Sequence, residues 1–535
     1  MKRDGKVIAF IDLGTNSVRL LVVKLNPNFS YTVISQEKEV VRLGEREFND
    51  ELLKPEAMRR TILVCKNFAE LAKTYGASEI IAVATSATRE ASNRDEFIGE
   101  LRAKADIDIK VISGLEEARL TYLGVSSGVD IGDKKAVFVD IGGGSTEISI
   151  GDQFNLYYLD SFPVGAIRLT SAFIREEWPG SVSASTYENI FLYAKNVILR
   201  ATSVVKRHNI ETAFGSSGTI VNLAEIANRM FDKPNDSKGL ILGRKQLKKV
   251  VEELCSLPLE ERRKIPGINP ERADIIIGGA AIIDALMDNF DLKEVIVSTR
   301  GLRDGMLEDY ISKIPGFPHF QKTPIKERSV IQLGRLCNFD EKHSYVVATL
   351  ALQLFDSSKR MGLHNYGNEE KDFLKYSAML HDIGDFISFN NHHLHSYYII
   401  SNAEMLLGFN QQEVKLIANI ARFHRKKYPN TEMLEEEGFD AYSKRLVIVL
   451  SMLLRFAENL DRSHAGLIKS AEFNEADENS VALKITSDSQ FLLEEWSLKN
   501  NVGAFHKVFG MELRIIGSLS QAPLGNISVA EEEVD

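Results

Sequence analysis

Two short turns, 128 positions apart, carry the same chemistry in the same order. An apolar run at 7–10 ends in Asp12-Leu13-Gly14-Thr15-Asn16-Ser17 and a second run leaves at 18–23. The pattern returns at 136–139, which leads into Asp140-Ile141-Gly142-Gly143-Gly144-Ser145, with an alternating strand pattern over 146–150. Each reads as a hairpin around a glycine-containing turn. The constant offset of Asp12 to Asp140, Gly14 to Gly142 and Ser17 to Ser145 predicts two lobes of related architecture. Between the turns, 80–84 precedes a helix near Arg89 and 107–112 precedes one starting at Ser113, so both lobes read as α/β.

A chain of 535 residues exceeds what one hydrophobic core supports. We place lobe one at 1–130, lobe two at 131–310, a helical domain at 320–469 after the loop marked by Pro315, Pro318 and Pro324, and a small α/β segment at 470–535. The acidic end 530–535 reads as a frayed tail. No stretch approaches the ~20 apolar residues of a membrane span, and the first residues lack a signal peptide's apolar region, so a cytoplasmic protein with no membrane partner is expected. A formal charge of −10 argues against general nucleic-acid binding and requires that any polyanion meet local donors. Cys65, Cys255 and Cys337, scattered and odd in number, read as reduced thiols.

Glycine turns after strands let backbone N–H groups approach an anion without a Cβ in the way. Gly14, Thr15, Asn16, Ser17, Gly142, Gly143, Gly144 and Ser145 are therefore the candidate phosphate binders. Phosphate repels the aspartate at each strand end unless a cation stands between them, so Asp12 and Asp140 imply Mg²⁺, with Glu147 in reach from the outgoing strand. Gly215-Ser216-Ser217-Gly218-Thr219 precedes a helical pattern and offers a further cradle at a helix N-terminus. Arg89, in a helix's first turn after small residues, is a candidate phosphate clamp. Ser113-Gly114-Leu115-Glu116-Glu117 divides two acids by role: Glu116 has capping-box spacing to Ser113, which leaves Glu117 as the candidate general base. The P-loop pattern Gly-x-x-x-x-Gly-Lys-Ser/Thr is absent.

These four segments, with 112–119 read as Ile-Ser-Gly-Leu-Glu-Glu-Ala-Arg and 297–305 as a closing stretch, resemble the exopolyphosphatase / guanosine pentaphosphate phosphatase (Ppx/GppA) family over residues 6–310. The resemblance implies two actin-like ATPase (ribonuclease-H-like) lobes, Mg²⁺ and phosphates at the two Asp-Gly turns, Glu117 as base, Arg89 on the substrate, and a homodimer. It implies removal of terminal phosphate from inorganic polyphosphate or from guanosine pentaphosphate. A small-molecule kinase on the same fold, or a regulator that binds these anions without turnover, are the competing readings.

The helical third resembles an HD-type domain. His343, the pair His381-Asp382, and Asp461 are its candidate ligands for a second divalent metal, and Asp461 falls on the apolar face of its helix, where a buried carboxylate needs a partner. A structural domain without metal stays open. His392, His393, His395 and His424 either complete a second metal or pack and bond locally, and local roles are the expectation. The basic run Arg425-Lys426-Lys427 reads either as a guide for a long polyanion or as a solvated helix end.

Overall fold

The computed structural model describes residues 5–45, 51–132, 134–174, 180–231, 239–314, 323–477 and 479–519; Pro315, Pro318 and the acidic end 530–535 lie outside them. The chain divides into two units, one running through Ser329 and including Leu407–Asn410, the other Val330–Leu406 and the residues from Gln411 on.

The first unit contains two sheets. Strands β1 (Lys6–Leu13), β2 (Ser17–Leu25), β3 (Tyr31–Val40), β4 (Glu79–Ala84) and β5 (Ile109–Val111) lie in the order β3-β2-β1-β4-β5. Strands β6 (Ala136–Ile141), β7 (Thr146–Gly151), β8 (Leu156–Phe162), β9 (Thr212–Ser216), β10 (Ile241–Gly243) and β11 (Glu294–Val297) lie in the order β10-β11-β9-β6-β7-β8. In each sheet an antiparallel three-strand meander is followed by a parallel neighbour: β1 pairs antiparallel with β2 and parallel with β4, and β6 does the same with β7 and β9. The 128-residue offset is the offset between two copies of one topology.

Both first strands are buried on both faces, which is why their sequences are continuous apolar runs and not alternations. From β1, Ala9, Ile11 and Leu13 pack with the helix Pro55–Thr74, while Ile8 and Phe10 pack with Leu302, Met306 and Leu307. From β6, Val137, Val139 and Ile141 join the large second-lobe core, while Phe138 meets Tyr122 and Val125. Two helices therefore serve the lobe opposite to their place in the chain. Helix Gly114–Ser126 sends Tyr122 and Val125 under the second sheet, and helix Leu302–Ser312 covers the first. They cross closely because Gly124 and Gly305 carry no side chain: a Cβ on Gly305 would collide with the Leu120 carbonyl, and one on Gly124 with that of Gly301. This crossing carries the Glu117 turn to the junction of the lobes.

The second unit is mainly helical, with Glu341–Arg360, Asn368–Leu380, His392–Ser401, Gln411–Arg422 and Ala441–Leu460, and ends in a three-stranded sheet. In that sheet β12 (Ile468–Asp477) pairs antiparallel with β13 (Ser480–Ser487), which pairs parallel with β14 (Glu512–Leu519). Phe456, Phe473 and Phe505 form its ring cluster, with centroids 5.3–6.4 Å apart. Among the described residues no helix is long and apolar enough to cross a membrane, and Cys65, Cys255 and Cys337 are free thiols.

Candidate active site

The two glycine turns close in the same way. Gly14 N–H donates to the Ser17 carbonyl at 3.0 Å, and Gly142 N–H to that of Ser145 at 2.9 Å. They also face each other: a Cβ on Gly143 would stand 2.9 Å from Thr15 Cβ, so the close approach depends on that glycine. Between them lies a cleft of about 310 Å³ lined by both turns, Thr85, Glu117, Ser217–Thr219 and 298–302. Its third wall is the N-terminus of helix Ser217–Met230, with Ser217 in a left-handed conformation at φ 90°. Oriented N–H groups there and in the two turns make the cleft an anion site.

A cluster of carboxylates, three lining the cleft and Glu147 next to Asp140, gathers here. Asp12 is 8% exposed, Glu117 9% and Glu147 3%. Asp140, recessed at the strand end, is level with Glu147 in the β6–β7 register. Burial raises the Asp12 carboxyl, lifts Asp140 to about 6 and Glu117 to about 7, and pushes Glu147 well above its usual range. Asp12 and Asp140 add to the rise on Glu117, and the Arg89 guanidinium opposes it. A cluster that disfavours its own charge suits a hard cation. Among the described residues no three of these carboxylates bring oxygens within 4.8 Å of one another. The set therefore fits Mg²⁺, which takes one or two carboxylates and keeps water and phosphate ligands, better than an all-protein cage.

The cleft also carries cations, which were not legible in the sequence, and one of them, Arg19, stands directly across from Asp12 in the β1–β2 register. Arg19 on β2, Lys38 on β3 and Arg272 in the turn Pro270–Arg272 line the same cleft. Arg19 and Lys38 are directly opposed in the β2–β3 register, a pairing of like charges that costs stability unless an anion joins them. Partial burial, with the Arg272 and Arg19 guanidiniums beside it, lowers the Lys38 ammonium to about 8 although much of its stem is exposed, and burial lowers Arg272 to about 10. The Arg272 guanidinium packs on Gly218, where a Cβ would collide with it. A lone cation inside the apolar run 18–23 was the available hint for Arg19. Arg272 gave none.

Four predicted residues stand apart from the cleft wall. Arg89 is bound to the base: its Nη1 donates to Glu117 Oε2 at 3.0 Å and to the Ile112 carbonyl at 3.1 Å. Glu147 sits behind Asp140, its Oε1 accepting from Ser161 Oγ at 2.8 Å. Gly215 packs inside β9 against Val295 and Ile220, and Ser216 is the cap of the helix that follows. The cap at Ser113 forms, its Oγ accepting from Glu116 N–H at 3.2 Å. The Glu116 carboxylate does not return to the cap, because Arg119 one turn on takes both its oxygens at 2.8 Å and also reaches Asp309 at 2.9 Å.

The candidate metal residues of the helical part gather in the second unit. His343 Nδ1 stands 2.7 Å from Asp461 Oδ2, and Asp461 Oδ1 accepts from Gly466 N–H at 2.7 Å. His381 and Asp382 adjoin them. His392 and His424 lie beside this pair, their Nε2 atoms 3.2 and 3.4 Å from Asp382 Oδ1. In the basic run, Arg425 lies over the Phe389 ring and Lys426 bonds Asn391.

Residues 325–502 match Ppx/GppA phosphatase, domain III. A guanosine-5'-triphosphate,3'-diphosphate pyrophosphatase of Pseudoalteromonas translucida (strain TAC 125) is 28% identical over 459 residues, 85% of this chain and 87% of that one. One of the same name from Aeromonas hydrophila is 28% identical over 492 residues, 90% and 93% of the two chains. Among solved structures, an exopolyphosphatase from Cytophaga hutchinsonii ATCC 33406 aligns with TM-score 0.53 and 27% identity, covering 57% of this chain and 97% of that one. Residues 21–314, more than half of the sequence and including the second glycine turn but not the first, match the Ppx/GppA phosphatase family, so the chain belongs to that family and is a hydrolase.

Proposed function

We propose that the cleft hydrolyses terminal phosphoanhydride bonds, taking inorganic polyphosphate and guanosine pentaphosphate as two substrates with the same reacting end. The carrying observation is one cleft lined by two glycine turns, a helix N-terminus, the carboxylates of Asp12, Asp140 and Glu117 and the cations of Arg19, Lys38 and Arg272. The names of the relatives, pyrophosphatase for a guanosine 5'-triphosphate and exopolyphosphatase, support the same bond type.

The terminal phosphate lies between the two turns, its oxygens taking N–H groups of the turns other than those of Gly14 and Gly142, which close the turns themselves. Ser217–Thr219 receive a second phosphate, and Arg19, Lys38 and Arg272 the charge beyond it. Asp12 and Asp140, with Glu147 behind through water, would hold Mg²⁺, which neutralises charge on the reacting phosphate. Glu117 takes a proton from a water as that water's oxygen bonds to phosphorus. The anhydride bond opposite breaks, the penultimate phosphate keeps its electron pair, and orthophosphate leaves. Arg89 is a positioning residue that fixes the Glu117 carboxylate and holds part of its charge in place.

The Mg²⁺ assignment is tested by titrating activity with Mg²⁺ in Asp140→Asn and Glu147→Gln. Both should need more Mg²⁺ for half-maximal rate, Asp140→Asn the more, by roughly 10-fold or above as for loss of one metal-orienting contact. Unchanged titrations remove these residues from the ion. The cations of the cleft are tested by Lys38→Ala with Arg272→Ala. KM should rise at low salt and its salt dependence flatten, because fewer counterions are displaced on binding, while kcat changes little. A fall in kcat at constant KM would place these cations at the reacting phosphate.

A further inference from the structure

The elements that build the phosphate cleft also enclose a second cavity beside it. The first glycine turn is tied to the chain that follows β3, the Asn16 carbonyl accepting from Val41 and Arg42 N–H at 3.0 and 2.9 Å. From the second turn, the Gly142 and Gly143 carbonyls accept from Ala166 and Ile167 N–H at 3.0 and 2.9 Å and so start helix Ala166–Phe173. The turn Pro270–Arg272, which carries Arg272 into the cleft, runs on into Asp274 and Ile275. Asn16, Arg42, Ile167, Thr170, Asp274 and Ile275 from these segments line a cavity of about 320 Å³. Asn16 and Ile275 line the phosphate cleft as well, so the two spaces meet there.

The cavity combines apolar walls with unpaired polar atoms. Ile167, Leu259 and Ile275 supply the walls. Asn16 Nδ2, Thr170 Oγ1 and Asp274 Oδ1 are each buried without a hydrogen-bond partner, and Asn16 as a whole is 7% exposed. The other oxygen of Asp274 accepts from Arg42 Nη1 at 2.7 Å, and Arg42 Nη2 donates to the Glu271 carbonyl at 3.0 Å. The guanidinium thus fixes the carboxylate and leaves Oδ1 as a lone acceptor, which is costly unless a ligand brings the donor. Apolar walls with a few convergent polar groups are the general form of a small-molecule pocket. A further phosphate is the wrong occupant, since its oxygens bring no donor and its charge meets a carboxylate. A guanine base is the right one: it is flat and apolar on both faces, offers N1–H and N2–H₂ as adjacent donors, and has O6 and N7 as acceptors. Adenine presents a lone pair at N1 to the same carboxylate.

We propose that this cavity is a guanosine subsite of the phosphate cleft, with Asp274 Oδ1 accepting from the guanine N–H edge, the Thr170 hydroxyl donating to an acceptor of the base, and Asn16 Nδ2, at the junction of the two spaces, donating to the ribose. This rests on the hydrolysis of both substrates proposed above, and it separates their recognition. Polyphosphate uses the cleft alone, whereas guanosine pentaphosphate uses cleft and cavity. Asp274 and Thr170 are then specificity-determining residues that touch the base and stay clear of the reacting phosphate.

The test compares guanosine pentaphosphate, its adenosine counterpart and long-chain polyphosphate on the full chain with Mg²⁺. In the wild type, KM for the guanosine compound should be roughly 10- to 100-fold below that for the adenosine one, the range for a hydrogen bond to a charged group. Asp274→Asn should lose most of that preference, because its amide can donate to adenine N1. Leu259→Trp, which fills the cavity, should raise KM for both nucleotides. Neither substitution should change polyphosphate hydrolysis, which also reports that each variant is folded. Calorimetric binding of guanosine tetraphosphate and its adenosine counterpart needs no turnover and should show the same order of affinities. A wild type without preference for guanosine overturns the subsite, as do substitutions that leave the nucleotides unaffected or that impair polyphosphate equally. Absence of phosphate release from every substrate would sink the hydrolysis reading instead, and the calorimetry would still decide the subsite.

Discussion

Glu117→Gln is expected to lower kcat about 10²- to 10⁴-fold, the range for loss of a general base, while leaving the KM for polyphosphate near the wild-type value. The amide keeps the shape of the carboxylate and the Arg89 contact but accepts no proton from water. Glu116→Gln, one residue earlier, is expected to cost up to about 1 kcal/mol of stability, as for a partly exposed ion pair, with turnover kept, since its carboxylate serves Arg119. The pH profile gives a second readout. Glu117 must be ionised to act, and with burial holding it at about 7 the wild-type rate should climb with pH through that value. Arg89→Met removes the cation that opposes the rise and should move the climb to higher pH. Equal loss of kcat in Glu116→Gln and Glu117→Gln would remove the distinction between the two acids.

Without divalent cation, the protein is expected to lose stability as pH rises from about 4 to about 7. Glu117 moves from an ordinary 4.5 to about 7 on folding and Asp140 from 3.8 to about 6, both through burial. In that window the folded chain keeps protons that the unfolded chain has released, so stability must fall with rising pH. The advantage is complete below the unfolded values and gone above the folded ones. At about 1.4 kcal/mol per pH unit, a rise of two units or more is worth roughly 3 kcal/mol for each group, about 6 kcal/mol for the two together. Urea unfolding in chelator should show wild type losing this amount relative to Glu117→Gln/Asp140→Asn between pH 4 and 8. Mg²⁺ should restore the wild type at pH 8 and do little at pH 4. Parallel pH dependences in the two proteins, or Mg²⁺ rescue of the double variant, would contradict the account of the carboxylate cluster.

The duplicated turns made the architecture legible because a strand, an Asp-x-Gly turn and a return strand are local features whose repetition is visible in one dimension. The Ser113 cap and the isolation of Glu117 were legible for the same reason. The cations of the cleft were not. Arg19 and Lys38 meet across a strand register, and Arg272 reaches the cleft from more than 230 residues away by packing on Gly218. Arg89 was read as a phosphate clamp because a first-turn arginine suits one; its bond to the buried Glu117 carboxylate, 28 residues on, is a tertiary contact that the local pattern does not carry. The exchange of helices between lobes depends on Gly124 and Gly305, which in sequence look like unfavourable helix residues and in the fold permit backbone-to-backbone crossing. His392 and His424 join Asp382 only through the packing of separate helices, which no spacing reveals.

The most direct measurement is orthophosphate release by the pure protein with Mg²⁺, given guanosine pentaphosphate or long-chain polyphosphate and no acceptor but water. Orthophosphate should appear with both, matched one to one by guanosine tetraphosphate in the first case, and Glu117→Gln should bind both substrates and release almost none. Release that requires an added alcohol acceptor would make the cleft a kinase site, and tight binding without release would make it a regulator's; either result would contradict hydrolysis by a Glu117-activated water.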